Sequence, residues 1–222
     1  IDLTGQESRQ RENGQHKAQN FRITDEHLGE GSAKTKFGYN IAAIQTLKQI
    51  EAEGRQARPD EQEILSRYVG WGGIPQAFDG NNAQWSEEYR QLKSLLTEDE
   101  YDAARGSTLN AHYTSPTVIR AMYDAIEKMG FRKGNVLEPS CGVGNFFGML
   151  PDDMSGSRLY GVELDSITGR IARQLYPDAR ITISGFEKTQ RRDFFDLAIG
   201  NVPFGGYKVS DKQFDKYNFL IH

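Results

Sequence analysis

Residues 116–199 alternate helix-length segments with short apolar stretches, and few folds tolerate that rhythm. Helices are expected over 116–129, from Gly144 and over 166–176, and strands at Asn135, Leu159, Arg180 and Phe195. Such alternation forms a mainly parallel sheet with helices on both faces, an α/β architecture. The expected strand order is 3-2-1-4, a partial sheet whose fourth strand is an exposed edge. The first strand, Val136 and Leu137, closes on Glu138 and turns through Gly142 and Gly144 into the apolar run Phe146, Phe147, Met149 and Leu150. Glycines suit this turn because the backbone must bend sharply and let a ligand approach without a Cβ in the way. Such turns are common, so this one alone does not name a ligand.

The last strand says more. Phe195, Leu197, Ala198 and Ile199 run into Gly200-Asn201-Val202-Pro203-Phe204, and strand ends of open α/β sheets are where ligands bind. Asn201 offers a side-chain carbonyl and Val202 a backbone carbonyl, while Pro203 stiffens the turn and Phe204 supplies a flat face. Two acceptors beside an aromatic ring suit a planar amino group.

At 222 residues the chain can bury one good-sized core, with or without an appendage. No run approaches the ~18 apolar residues of a membrane span and the start has no apolar signal core, so a cytoplasmic location without a membrane partner is expected. Cys141 is the single cysteine, and His16, His27, His112 and His222 are scattered, so neither a disulfide nor a metal site is expected. In the glycine loop, Cys141 reads as a small residue lining a turn rather than as a nucleophile. A net charge of -4 lacks the footprint of a tight non-specific DNA binder, so any grip on DNA is local or comes from elsewhere.

Residues 1–20 are rich in Gln, Arg, Glu, Asn and Gly and read as a polar linker or tail. Residues 21–107 read as an α-helical extension. Phe37, Ile41, Ile44, Leu47 and Ile50 share one helix face, which Gly54 ends. A second helix is expected from Asp60 to about Tyr68, broken by Gly70-Trp71-Gly72-Gly73-Ile74-Pro75. Trp71 reads as an anchor fixing this glycine stretch to the core rather than as a base-stacking ring. Two more helices are expected over 85–96 and 97–105, the latter opened by a Thr97/Glu100 capping box. The composition of this front half points to no chemistry. For the helix over 116–129, Ser115 is the expected N-cap, and Val118, Ile119, Met122, Ile126 and Met129 the buried stripe.

In this order the motifs resemble the S-adenosylmethionine-dependent amino-methyltransferases, above all the N6-adenine DNA methyltransferases of gamma-type motif order. His112-Tyr113-Thr114-Ser115-Pro116 is similar to the family's leading cofactor motif, and residues 138–146 to its glycine loop. Gly161-Val162-Glu163-Leu164-Asp165 matches the acidic position that holds the cofactor ribose, and Gly185-Phe186 falls where the family contacts the cofactor adenine. Residues 201–204 match the reaction motif, with Val202 in place of the first proline of the commoner Asn-Pro-Pro-Phe form. The resemblance covers residues 108–222, read as the N-terminal part of a methyltransferase domain.

It implies a Rossmann-like methyltransferase fold and S-adenosylmethionine as cofactor. The implied cofactor contacts are Tyr113, Thr114, Glu138, Pro139, Ser140, Gly142, Gly144, Asn145, Phe146, Glu163, Leu164 and Phe186. Glu163 would accept from the ribose hydroxyls and Phe186 would pack on the adenine, although Gly185 stands where many relatives carry an acidic residue. Asn201, Val202, Pro203 and Phe204 are the implied catalytic set, acting on an adenine flipped out of duplex DNA. The same four-residue site serves protein glutamine amides and RNA bases, and a non-catalytic DNA-binding scaffold retaining the fold is a third reading. The loop after Phe204, with Lys208, Lys212 and Lys216, either touches phosphates or is simply solvated. The family's sheet has further strands, so the chain reads as a fragment. Its front half and the Asn-Val-Pro-Phe variant resemble the methylase segment of very large helicase-fused proteins of mobile elements.

Overall fold

The computed structural model describes residues 18–108, 113–189 and 191–202. Ser32, whose Oγ accepts from the Thr35 N–H at 3.2 Å, caps the longest helix, α1 (Ala33–Ala52). Its face of Phe37, Ile41, Ile44, Leu47 and Ile50 is buried, as the apolar spacing predicts. Helix α2 (Pro59–Ser66) follows, then two short 3₁₀ turns, α3 (Ser86–Leu95) and α4 (Glu98–Ser107). The capping box of α4 forms as expected: Thr97 Oγ1 accepts from the Glu100 N–H at 3.2 Å, and Glu100 Oε2 accepts from the Thr97 N–H at 3.0 Å. Trp71 is the anchor its glycine context suggests, buried edge-on against Phe37, Tyr68 and Phe78.

Asn40 holds the glycine stretch from the other side. Fully buried on α1, its Nδ2 donates to the Gly70 carbonyl at 2.6 Å and its Oδ1 accepts from the Val69 N–H at 2.9 Å. One side chain thus satisfies two backbone groups that the break after α2 would leave unpaired.

Beyond α5 (Pro116–Lys128) the chain alternates β1 (Asn135–Glu138), α6 (Asn145–Gly148), β2 (Arg158–Glu163), α7 (Ser166–Leu175), β3 (Arg180–Ile183) and β4 (Leu197–Ala198). The four strands are parallel in the order β3-β2-β1-β4, the order expected, with β4 at an edge. Val136 pairs with both Leu159 and Leu197, so β1 is the centre from which the strand order reverses.

The two faces of the sheet differ. Val136, Leu159, Ile181 and Ile199 belong to one continuous core with buried residues of every described α-helix, from Phe37 on α1 to Leu175 on α7. The opposite face carries Leu137, Tyr160 and Val162 packed with Phe194 and Phe195. Among the described residues, the helices pack on the first of these faces. The second face is instead an aromatic cluster, with Arg191 over the Tyr160 and Phe194 rings at 5.1 and 4.3 Å.

Three local expectations also change. The buried side of α5 is Ile119 and Tyr123, flanked by Met122 and Ile126, whereas Val118 is 49% and Met129 83% exposed. Tyr123 displaces them because its ring packs on Phe146 and its hydroxyl donates to the Phe146 carbonyl at 2.8 Å. Ser115 opens that helix without a side-chain cap bond. Helix α6 is a single turn ending at Gly148, which lies so close to Ile23 and Tyr176 that an added Cβ would sit 2.5 Å from the tyrosine oxygen. Ahead of α1, residues 18–23 are strapped down: Gln62 Nε2 donates to the Gln19 carbonyl, the Phe21 N–H to Leu175 at 2.8 Å and the Ile23 N–H to Gly148 at 2.9 Å. The rest of the expected polar tail, residues 1–17, lies outside the described residues.

Replacing Asn40 by alanine strips Gly70 and Val69 of their partners. The expected loss is ~2–3 kcal/mol of stability, read from urea unfolding as a lower midpoint at unchanged slope.

Candidate functional site

Three polar side chains stand at or just past the C-terminal ends of adjacent strands: Glu163 on β2, Glu138 on β1 and Asn201 beyond β4. Strand order reverses at β1/β4, and the crevice at such a switch point is where open α/β sheets bind ligands. The Ile199 N–H donates to the Leu137 carbonyl at 2.9 Å, which carries the pairing past β4 and brings Asn201 alongside the end of β1.

The glycine loop between β1 and α6 is pinned to β2. Cys141 N–H donates to the Val162 carbonyl at 2.9 Å and Gly142 N–H to Glu163 Oε2 at 2.8 Å. Glu163 Oε1 accepts from the Asp165 N–H at 2.8 Å, so one carboxylate ties the loop to the entry of α7. Asp165 in turn caps α7, its Oδ1 accepting from Thr168 N–H at 2.7 Å and Thr168 Oγ1 at 2.6 Å. Gly142 has φ +55°, and a Cβ there would stand 3.1 Å from the Tyr113 ring. That close approach brings the Tyr113-Thr114 pair against the loop, although some thirty residues of chain separate them.

A cavity of about 390 Å³ opens over these residues. Of the positions singled out from sequence, Tyr113, Thr114, Glu138, Ser140, Gly142, Asn145, Phe146, Glu163, Leu164 and Asn201 line it. Pro139, Gly144 and Val202 do not. Gly144 serves the turn instead, at φ +87° and with no room for a Cβ beside the Tyr176 ring. Phe186 is also absent from the lining and is 44% exposed on a short 3₁₀ turn. Pro203, Phe204, His112 and the loop with Lys208, Lys212 and Lys216 lie outside the described residues.

The structure adds residues that the motifs missed. Tyr68, Gly70, Ala103, Gly106 and Ser107, all from the front half, line the same cavity, as does Thr168. The front half therefore contributes to the cavity lining, which its composition alone does not indicate. The only hint in the sequence is the glycine break after Tyr68, since nothing in the composition of α4 marks it as facing a cavity.

Glu138 is 2% exposed and its Oε2 has no partner among the described residues. Burial, with the Glu163 charge nearby, pushes its carboxyl well above the ordinary glutamate range. Glu163 is also raised by burial, with the Asp165 and Gly142 N–H groups holding it back. Burial beside Glu138 raises the Cys141 thiol, which suits a loop-lining residue rather than a nucleophile. Leu164, by contrast, is 76% exposed at the cavity, an apolar surface that no described residue covers. Two carboxyls, one unpartnered acceptor and an exposed leucine suit a ligand that brings hydroxyl or ammonium donors together with a flat apolar part.

No protein-family model matches the chain. It is 28% identical over 170 residues to the Defense against restriction protein B of Escherichia phage P1, which covers 75% of this chain and 6% of that protein. It is 35% identical over 79 residues to the Type II methyltransferase M.CvrRI of Paramecium bursaria Chlorella virus XZ-6E, covering 35% of this chain and 21% of that one. A third relative, the Type II methyltransferase M.TthHB8I of Thermus thermophilus, is 33% identical over 103 residues, 46% of this chain and 23% of that protein. The chain thus spans less than a quarter of the length of each. No described helix is long and apolar enough to cross a membrane.

Since Glu138 titrates higher when folded than when unfolded, the folded state gains from its protonation below the ordinary value of 4.5 and loses that gain as pH rises through the raised value. Glu138→Gln cannot titrate. Its stability relative to the wild type should therefore improve steadily as pH rises above 4.5, which urea unfolding of both proteins across a pH series would read.

Proposed function

We propose that this chain carries the cofactor loop and reaction site of an S-adenosylmethionine-dependent methyltransferase acting on the N6 amino group of adenine in DNA. The observation that carries the reading is that Asn201 lines the same cavity as Glu138, Glu163 and the glycine loop. A reaction-motif residue and a cofactor loop at one switch point is the arrangement that methyl transfer needs. Two relatives are Type II methyltransferases by name, which supports methyl transfer. The choice of adenine N6 rests on residues 201–204 and their resemblance to the reaction motif.

The residues at the cavity fit this cofactor. Glu138 Oε2, buried without a partner, meets the need of an ammonium or sulfonium charge. Each Glu163 oxygen takes one backbone N–H, which leaves lone pairs for ribose hydroxyls. Leu164 offers its exposed side chain to a purine face. When bound, S-adenosylmethionine supplies an electrophilic methyl group on a sulfonium centre.

The target amine is a poor nucleophile because its lone pair is delocalised into the ring. Asn201 Oδ1 and the Val202 carbonyl would each accept a hydrogen bond from the amino group, favouring a pyramidal nitrogen with its lone pair directed at the methyl. Only the backbone carbonyl of Val202 is used, so the replacement of proline is tolerated. Phe204 would stack on the adenine, flipped out of the duplex, and Pro203 would keep the turn stiff. The same reading takes DNA as the partner and joins this segment to further methylase and helicase regions of a longer chain.

Titration calorimetry with S-adenosylmethionine and transfer of a radioactive methyl group to unmethylated DNA, followed by nucleoside analysis, test this. Glu163→Ala should bind the cofactor at least ~10-fold more weakly. Asn201→Ala should bind it normally but lower transfer ~10²–10³-fold, as measured in the longer chain that includes the target-binding regions. Equal loss of cofactor binding in both variants would refute the assigned roles. Label in glutamine or in an RNA base instead of N6-methyladenine would move the target to the second class.

A further inference from the structure

Resting on the cofactor reading above, we infer that the helical segment ahead of the α/β half forms one wall of the cofactor pocket, through Tyr68 and the face of α4 that carries Ala103, Gly106 and Ser107. Apart from Gly70, the remaining lining comes from residues 113–201, and none of the motifs there lies on this wall.

Residues 103, 106 and 107 are spaced i, i+3, i+4 and so share one side of the helix. No side chain there is longer than serine, so a ligand can lie almost against the helix backbone. Gly106 is the informative one. Glycine inside a helix is unfavourable, yet a Cβ at Gly106 would meet nothing within 4 Å, so packing against the protein does not demand it. What a larger residue would take up is space at the cavity. An independent observation says that this space receives a ligand: Glu138, 2% exposed and lining the same cavity, keeps Oε2 without a partner.

The wall is also held in place. One turn before Ala103, Glu100 accepts from Arg170 Nη2 of α7 at 2.6 Å and from Lys48 Nζ of α1 at 2.9 Å. Arg170 reaches Glu51 of α1 as well, at 3.3 Å. This partly buried network fixes α4 to the helix that follows Glu163, while Asn40 fixes the turn that carries Tyr68 and Gly70. A pocket whose walls are set before the ligand arrives loses less on binding.

The test is calorimetric titration with S-adenosylmethionine of the wild-type chain, Gly106→Leu, Ala103→Leu and Gly38→Leu, each paired with thermal unfolding. Gly38 is the matched control: it is exposed on α1, its Cβ would also meet open space, and it lies away from the cavity. Gly106→Leu and Ala103→Leu should bind at least ~10-fold more weakly with unfolding midpoints unchanged or higher, while Gly38→Leu binds as the wild type does. If Gly106→Leu does not fold, Ala103→Leu decides. Wild-type affinity in the folded α4 variants would overturn the wall and leave the cofactor reading standing. So would equal weakening in Gly38→Leu overturn the wall. No binding by folded wild-type protein would overturn the cofactor reading, and the wall with it.

Discussion

The Glu163 carboxylate organises the site. Its two oxygens accept the Gly142 and Asp165 N–H groups at 2.8 Å each, so the glycine loop, the end of β2 and the start of α7 share one acceptor. The loop can then keep Gly142 at positive φ beneath the Tyr113 ring, and α7 can start from its Asp165 cap. A carboxylate accepting backbone N–H groups is among the stronger hydrogen-bonding arrangements available at a sheet edge. The cost is two buried acidic groups near each other: burial raises both Glu138 and Glu163, and among the described residues neither has a cation beside it. Functional sites characteristically hold such unbalanced groups, because the ligand completes them.

The front half is bound to this site by polar groups inside an apolar core. Asn40 closes the turn that carries Tyr68, and Gln62 of α2 donates to the Gln174 carbonyl at the end of α7. The Lys48–Glu100–Arg170 contacts lock α4 to α1 and α7. Apolar packing alone would allow the helices some sliding, whereas these directional bonds fix a register. Helices from residue 33 onward and the sheet consequently share one hydrophobic core. The cavity is made where the two halves meet.

Much of the α/β half was legible beforehand. The strand positions and the order 3-2-1-4 follow from the alternation of apolar stretches and helices, and the glycine loop, the acidic strand ends and Asn201 follow from local pattern. The buried face of α5 and the length of α6 were less legible. Val118 and Met129 have the right spacing, yet Tyr123 takes the core because a hydrogen bond to the Phe146 carbonyl awaits its hydroxyl.

Local chemistry written along the chain therefore determined the strands, the glycine turns, the α4 cap and the candidate site side chains, because each depends on neighbours a few residues away. Only the tertiary structure decided which helices face the cavity. Tyr68, Ala103, Gly106 and Ser107 carry no motif; Tyr68 reaches the site on the turn that Asn40 holds, and the α4 residues reach it because partly buried contacts from Lys48 and Arg170, more than fifty residues away along the chain, hold that helix there. Only the tertiary structure, too, decided that the described helices cover one face of the sheet while aromatic rings and an arginine cover the other. Long-range packing selects among faces that a periodic pattern leaves equivalent.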